Sequence, residues 1–452
     1  MMENLYLCVM KRLNLLLGAI LVSIFCPFCS VWAADPLANL ITMDYSGKAD
    51  TLVNVLVGQF LSTNTGTFWA VPRNRPNRES ESANIYWQQA HAMDVVIYTY
   101  ERIRDTDLSR AATYKRYMER WYANHAHNWY RDSSDPTGFL NEYTDDMCWI
   151  CLTLLHMSDA LDDDTYANTA RTVFDSYILP RGTRDGKGFF SLPWKSSDSG
   201  PNACTNAPGC LLAAKLYERY GEESYLQVAK DLYAYQANEM RTALNNDGRV
   251  EEPPLSYTQG TFGEAARRLF HITGERAYLQ MAQKVLSYAI TSGRCVDNGI
   301  LRNEGTNMDQ SIFKAVLIPY LVNYAIDTDV VVSSRRSFVR FLQTNAQTLW
   351  QNLNLAAYPR SYCNYYWKEP FDESTVASMG AMASGASLME NVARMARVLK
   401  GDEDGVAAPS VAGEERPLHI FAPNGVQLQQ MKRGLNILQY PDGIARKVLK
   451  TR

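Results

Sequence analysis

"YGEESYLQVAKDLYAYQ" (residues 220–236) and "TGERAYLQMAQKVLSYA" (residues 273–289) are two copies of one pattern. They share Gly-Glu (Gly221-Glu222 and Gly274-Glu275), Tyr-Leu-Gln (from Tyr225 and Tyr278), an alanine (Ala229 and Ala282) and a closing tyrosine (Tyr235 and Tyr288). The offset of about 53 residues is too long for one helix and right for a hairpin of two long ones. A fainter copy, "DTYANTARTVFDSY", begins at Asp164. In each copy a glycine or an acid ends one helix and a tight turn starts the next.

Outward from these copies, a 3.6-residue period runs from about residue 45 to 400. It divides into twelve amphipathic segments: 47–63, 85–104, 108–130, 142–161, 163–179, 203–220, 222–244, 258–273, 275–293, 309–327, 332–354 and 375–400. No alternating strand pattern of comparable strength interrupts them. Odd segments such as "SRAATYKRYMERWYANH" (109–125) are charged and suit an outer layer. Even segments start with uncharged polar and aromatic residues and then turn small and apolar, as in "TVASMGAMASGASLME" (375–390). Helices lined with Ala, Gly and Ser pack closely at a crowded centre. Six inner and six outer helices predict an all-α (α/α)6 barrel over residues 35–400; an open solenoid of helical repeats is the competing arrangement.

The 452 residues provide for a large core, and a formal net charge of −3 without a basic run argues against a nucleic-acid partner. "MKRLNLLLGAILVSIFCPFCSVWAAD" (10–35) has the cations, apolar stretch and small residues of a secretion signal, predicting a removed segment of residues 1–34 and an exported chain. No later stretch has the roughly 20 apolar residues needed to span a bilayer. Six cysteines follow the signal: Cys148, Cys151, Cys204, Cys210, Cys295 and Cys363. Cys204 and Cys210 are the nearest loop-compatible pair for a disulfide, whereas Cys148 and Cys151 lie in an apolar helical run and read as core thiols. Residues 401–416 read as a linker. Residues 417–452 alternate short β-like runs around "PNG" and "PDG". That tail resembles the end of the C-terminal sorting domain of the type IX secretion system in Gram-negative bacteria, which implies secretion machinery as a partner; a small β-appendage is the alternative.

Polar clusters open the even segments: "YWQQAHAMD" (86–94), "NEYTDDMCW" (141–149), "NACTNAP" (202–208), "SYTQGTF" (256–262) and "NMDQSIFKA" (307–315). On an inner ring these starts meet at one end of the barrel. There Trp87, Gln88, Gln89, His91, Asp145, Asp146, Trp149, Asn206, Tyr257, Gln259 and Asp309 are predicted to line a cleft, with Trp69 and Trp194 in adjoining loops. Amides and carboxylates match sugar hydroxyls, and flat rings match pyranose faces. Asp145 and Asp146 have an ordinary alternative as acids favoured by a helix N-terminus, with Thr144 capping. Among Trp, Tyr, Asn and Gln, however, two carboxylates in one cleft resist ionising together, and one keeps its proton near neutrality. Attack and proton donation by such a pair are what retaining glycoside hydrolysis needs. His125 and His127 lack acids at ligand spacing, so no metal or other cofactor is expected; "LDDDTY" (161–166) reads as a surface turn capping the fifth helix.

"YWQQAH", "YTDD" followed by Trp149, "NACTNAP", "YTQG" and "DQSIFKA", in this order, resemble glycoside hydrolase family 76 over residues 45–400. The resemblance implies an (α/α)6 barrel and an endo-α-1,6-mannanase acting on α-1,6-mannan or manno-oligosaccharides. It implies Asp145 as nucleophile and Asp146 as acid/base, working through a mannosyl-enzyme intermediate. Two other readings are a transglycosylase of the same family and a glycan-binding protein without catalysis; the latter has no need for both acids. A helical scaffold for protein partners leaves the Trp/Gln/Asn clusters unexplained.

Overall fold

The computed structural model describes residues 35–73, 85–128, 135–197, 200–240, 246–250 and 255–401, together with four strands between His419 and Lys450. The expected signal segment, and the expected linker beyond Gly401, lie outside the described residues.

Twelve α-helices occur among the described residues: α1 Ser46–Phe60, α2 Tyr86–Ile103, α3 Leu108–Asn128, α4 Thr144–Leu161, α5 Asp164–Val173, α6 Ala203–Tyr220, α7 Glu223–Asn238, α8 Ser256–Thr273, α9 Arg276–Thr291, α10 Met308–Ile326, α11 Val332–Gln351 and α12 Met379–Lys400. Each even helix packs against the even helices before and after it, and α12 returns onto α2. The ring is closed: this is an (α/α)6 barrel and not an open solenoid. Each outer helix from α3 to α11 lies on the inner helix before it, and α1 lies on α12.

Short turns join inner to outer helices. Asp162 (φ 55°), Gly221 (φ 70°) and Gly274 (φ 74°) sit there in left-handed backbone, which explains the glycines of the repeat. In the "LDDDTY" turn Asp163 caps α5 by accepting from the Thr165 amide at 2.9 Å. The long connections, from outer to inner helix, lie at the opposite end and gather the starts of the inner helices there.

Small residues set the spacing of the inner ring. A Cβ on Gly260 in α8 would lie 2.9 Å from Leu317 Cδ1 and 3.0 Å from Leu317 Cα in α10. A Cβ on Gly380 in α12 would collide with Ser311 of α10, while Ser384 Oγ donates to Ser311 O at 2.8 Å. Larger side chains would force the helices apart.

Side-chain amides then fasten the long loops to this frame. Gln89 of α2 accepts from Phe68 N (2.8 Å) and donates to Phe68 O (2.7 Å). Asn206 of α6 does the same to Leu192 (2.9 Å each way), and Gln259 of α8 to Val250 (3.2 and 3.1 Å). Asn345 of α11 accepts from Leu301 N (2.9 Å) and donates to Gly299 O (3.0 Å). Each amide supplies the donor and acceptor that a neighbouring strand would, so a buried loop peptide is satisfied without a sheet.

Three boundaries differ most from expectation. α7 ends at Asn238 instead of near residue 244. α5 ends at Val173, because Phe174–Ile178 form a π turn and Leu179–Arg181 a 3₁₀ turn containing Pro180. α12 starts at Met379, where Ser378 Oγ accepts from the Gly380 amide at 3.2 Å. The expected Cys204–Cys210 disulfide is absent, and all six cysteines are thiols. Both residues lie on α6 six positions apart, a rise of about 9 Å, beyond disulfide reach. Cys148 and Cys151 are buried in the core.

Short antiparallel pairs decorate the loops: β1 Thr183–Arg184 with β2 Phe190–Ser191, and β3 Val296–Asp297 with β4 Ile300–Leu301. In the tail, β5 His419–Phe421, β6 Gln427–Leu428, β7 Gly434–Gln439 and β8 Ala445–Lys450 form an antiparallel sheet in the order β6-β5-β7-β8. In sequence, β5 and β6 stand on either side of "PNG" and β7 and β8 on either side of "PDG", where β-like runs were expected. Among the described residues no helix is long and apolar enough to cross a membrane.

Candidate active site

The backbone ahead of α4 is clamped before the acids appear. Arg181 donates to Asn141 O (2.7 Å) and Glu142 O (2.8 Å), and Ser196 N donates to Glu142 O (3.0 Å). Tyr143 bridges Lys195, and Thr144 N donates to Trp194 O at 2.8 Å. Thr144 therefore does not cap the helix, as the ordinary surface-acid alternative required: its buried hydroxyl accepts from Arg181 Nη1 at 3.2 Å.

Asp145 and Asp146 occupy the first turn of α4. Consecutive helical residues diverge by about 100° around the axis, so the two carboxylates meet different neighbours. Asp145 faces α6, where the Cys204 thiol donates to Oδ2 at 3.6 Å, and the Trp194 indole also donates to it. Asp146 accepts from Asn141 Nδ2 at 3.0 Å and feels the negative charges of Asp145 and Asp309.

Below them lies an aromatic floor assembled from four inner helices. Trp87 of α2 is centred 6.2 Å from Trp149 of α4, 6.3 Å from Tyr257 of α8 and 6.1 Å from Phe313 of α10. Tyr257 stacks on Phe313 at 4.3 Å. His91 wedges edge-on against Trp87 (5.5 Å) and Trp149 (5.1 Å), with Nδ1 3.5 Å from Asp94 Oδ2. Asp309, at the start of α10, accepts from Trp87 Nε1 at 3.0 Å and from Gln88 Nε2, tying α10 to α2 across the cleft. Three buried polar atoms here have no hydrogen-bond partner among the described residues: Gln88 Oε1, His91 Nε2 and Asp145 Oδ1. Such atoms call for hydroxyl donors.

The electrostatics separate the two acids. Burial pushes Asp145 up to about 7, opposed by the donors from Cys204, Trp194 and the helix-start amides, which favour its anion. Burial also raises Asp146, and there the Asp145 and Asp309 charges add to the rise, with Asn141 alone opposing it. A proton shared by the pair therefore resides on Asp146, leaving Asp145 as the carboxylate. One carboxyl of the pair can then give up a proton while its neighbour is an anion.

The structure thus brings together Trp87, Gln88, His91, Asp145, Asp146, Trp149, Tyr257 and Asp309, with Trp194 on the rim at 36% exposure. Gln89, Asn206 and Gln259, expected to meet the sugar, instead spend their amides on Phe68, Leu192 and Val250. Trp69 donates its amide to Phe60 O, holding its own loop. Sequence reasoning missed Asn141, Arg181, Cys204 and Phe313 as site residues. Asn141 and Phe313 stood in plain view in "NEYTDD" and "DQSIFKA"; nothing in the sequence links Arg181 to the acids.

His271, Asp327 and Asp329 are the metal-compatible group among the described residues, at the short-turn end. Arg267 Nη1 lies 2.8 Å from the Asp327 oxygen that His271 Nε2 contacts at 2.6 Å. The guanidinium supplies the positive charge that an ion would bring.

A closed ring of six inner helices, with two adjacent carboxyls set over an aromatic floor, defines a glycoside hydrolase of the (α/α)6 type. The chain belongs to glycosyl hydrolase family 76, whose sequence profile matches residues 47–399. No curated protein matches it. Among solved structures it is similar to the α-1,6-mannanase of Salegentibacter sp. HEL1_6, at 26% identity and a TM-score of 0.66, covering 78% of this chain and all (100%) of that one. An inactive variant of that mannanase, with two consecutive aspartates replaced, forms a complex with α-1,6-mannotetrose at the same similarity. The Lin0763 protein of Listeria innocua shares the fold at 23% identity and a TM-score of 0.66, over 78% of this chain and 97% of its own.

Proposed function

We propose that this hydrolase is an exported, retaining endo-α-1,6-mannanase. The observation that carries the reading is the unequal pair: Asp145 surrounded by donors, Asp146 by negative charge, beside Gln88 and His91 with unmet hydrogen-bonding atoms. The oligosaccharide complex of the Salegentibacter mannanase supports the substrate class. Asp145 attacks the anomeric carbon of an α-1,6-linked mannosyl unit. Asp146 delivers its proton to the departing O6, and the bond between that oxygen and the sugar breaks as the mannosyl–Asp145 ester forms. Asp146, now anionic, takes a proton from water, whose oxygen displaces Asp145 and restores the original anomeric configuration. Trp194 offers stacking surface at the rim and the half-buried Trp87 does so within, held by the buried Trp149 and Tyr257 beside it. Asp309 holds Trp87 and Gln88 in place and helps keep Asp146 protonated.

Incubation with debranched α-1,6-mannan tests the reaction: internal cleavage yields a ladder of oligosaccharides whose new reducing ends are α by NMR. Release of mannose alone, or of β-anomers, refutes the endo or the retaining assignment respectively. Export by the N-terminal signal, with the C-terminal sheet as a sorting element, belongs to the same proposal. Deleting residues 417–452 then stops surface delivery while leaving activity in lysates intact; unchanged delivery refutes the sorting role.

A further inference from the structure

Beside the cleft, between the β3–β4 hairpin and the start of α8, lies a cavity of about 310 Å³ lined by Leu255, Gly293, Arg294, Arg302, Asn303 and Glu304. Its walls are braced. The hairpin turns through Asn298 (φ 48°) and Gly299 (φ 79°), and Asn345 grips it from α11 at Gly299 and Leu301. Arg294 leads into the hairpin and Arg302 leads out of it. Arg302 Nε donates to Gly293 O at 2.7 Å and to Val296 O at 3.2 Å, which fixes the base of its guanidinium fork.

The local acids are already engaged. Glu304 accepts from Ser256 N at 2.8 Å and from the Ser256 hydroxyl, filling the α8 helix start. Asp297 accepts from Tyr366 OH at 2.7 Å and lies 3.6 Å from Lys368 Nζ. Glu304 attracts Arg294 only at longer range, and neither Arg294 nor Arg302 has an ion pair among the described residues. Among the described residues two cations therefore line the cavity with a single, occupied carboxylate, Glu304, while Asp297 acts on Arg302 only at longer range. The cavity also adjoins the glycan site: Ser256, clasped by Glu304, immediately precedes Tyr257 of the aromatic floor.

We infer that this cavity is an accessory subsite for an anionic substituent, a phosphate or a carboxylate, carried by the glycan in the cleft. Paired guanidiniums suit the planar or tetrahedral oxyanion, Asn303 suits an adjoining hydroxyl, and the braced hairpin presents both arginines without a cost in loop ordering. The inference rests on the mannanase reading for the identity of the glycan, but not for the charge that the cavity selects.

The test compares neutral α-1,6-manno-oligosaccharides with the same oligosaccharides bearing a phosphate monoester or a carboxymethyl group. Wild-type protein is expected to show about tenfold lower KM for a charged substrate, as one to two charge-assisted contacts would give. The advantage should shrink in high salt. Which charged series gains more identifies the anion. In the double variant Arg294→Gln/Arg302→Gln the advantage disappears while turnover of neutral substrate is unchanged, which also shows that the variant is folded. Equal KM for neutral and charged substrates in the wild type, or an advantage that survives in the double variant, overturns the subsite. If no oligosaccharide is cleaved, the mannanase reading fails instead. Calorimetric binding of charged against neutral oligosaccharide to wild type and double variant then decides the subsite without turnover.

Discussion

Replacing Asp145 with asparagine should remove activity and make the protein more stable at alkaline pH. Burial raises this carboxyl to about 7 in the folded chain, against about 3.9 for a free aspartate. A gap of about three pH units corresponds to about 4 kcal/mol between the two protonation states. The folded state binds the proton more tightly. The stability from this group is therefore complete below about pH 4 and is lost as pH climbs through 7. Asparagine is neutral throughout and loses nothing over that window. Because Asp145 keeps an opening to solvent and shares a proton with Asp146, about half of the effect, ~2 kcal/mol, is expected at pH 8. Unfolding entropy of about 2.1 cal/mol/K per residue, taken over the barrel of residues 47–399, converts this to a Tm gain of roughly 3 °C. At pH 5 the gain should fall to about a third, since most of the ionisation penalty is not yet felt. Paired calorimetric scans at pH 5 and pH 8 read it directly. Mannan cleavage by the same variant should drop at least about a thousandfold, because an amide does not form the ester intermediate. A variant melting at or below wild type at pH 8, or an offset identical at both pH values, would show that Asp145 is not held in a destabilised state.

Asp309→Asn removes one of the negative charges that raise Asp146, so the alkaline limb of the kcat/KM profile should move to lower pH; an unmoved limb would remove Asp309 from the tuning of the acid. A small organomercurial should inactivate the wild type by occupying Cys204 beside Asp145, whereas Cys204→Ser should keep most activity and resist the reagent. Sensitivity retained in the serine variant would place the critical thiol elsewhere. Gly260→Ala should cost about 1–3 kcal/mol, as overpacking typically does, because the added carbon would sit 2.9 Å from Leu317 Cδ1; an unchanged denaturant midpoint would mean that the α8–α10 contact relaxes freely.

Periodicity exposed the barrel because inner and outer helices carry different burdens. Gly221 and Gly274 marked the tight turns, and the Gly/Ala/Ser stretch of α12 marked the crowded centre. The acid pair was legible as well, since its polar surroundings are contiguous in the chain. Side-chain direction was harder to read. Gln88 and Gln89 are neighbours of the same polarity, yet helical geometry turns one toward Asp309 and the other toward the Phe68 peptide. Asn206 and Gln259 were misread for the same reason: an amide suited to a hydroxyl is equally suited to a backbone. Arg181 was invisible because it lies about 40 residues from Asn141 (181 against 141) and reaches it only after α5 gives way to the π and 3₁₀ turns.

The amides that grip Phe68, Leu192 and Val250 touch only their peptide groups. The gripped residues are themselves buried, Phe68 and Leu192 at 0% and Val250 at 3% exposure, so each loop is pinned at one point in the core and substitutions at its exposed positions put little of the scaffold at risk. The rim of the cleft can then be redrawn, residue by residue, to suit glycans of different branching, while the ring beneath goes on folding unchanged.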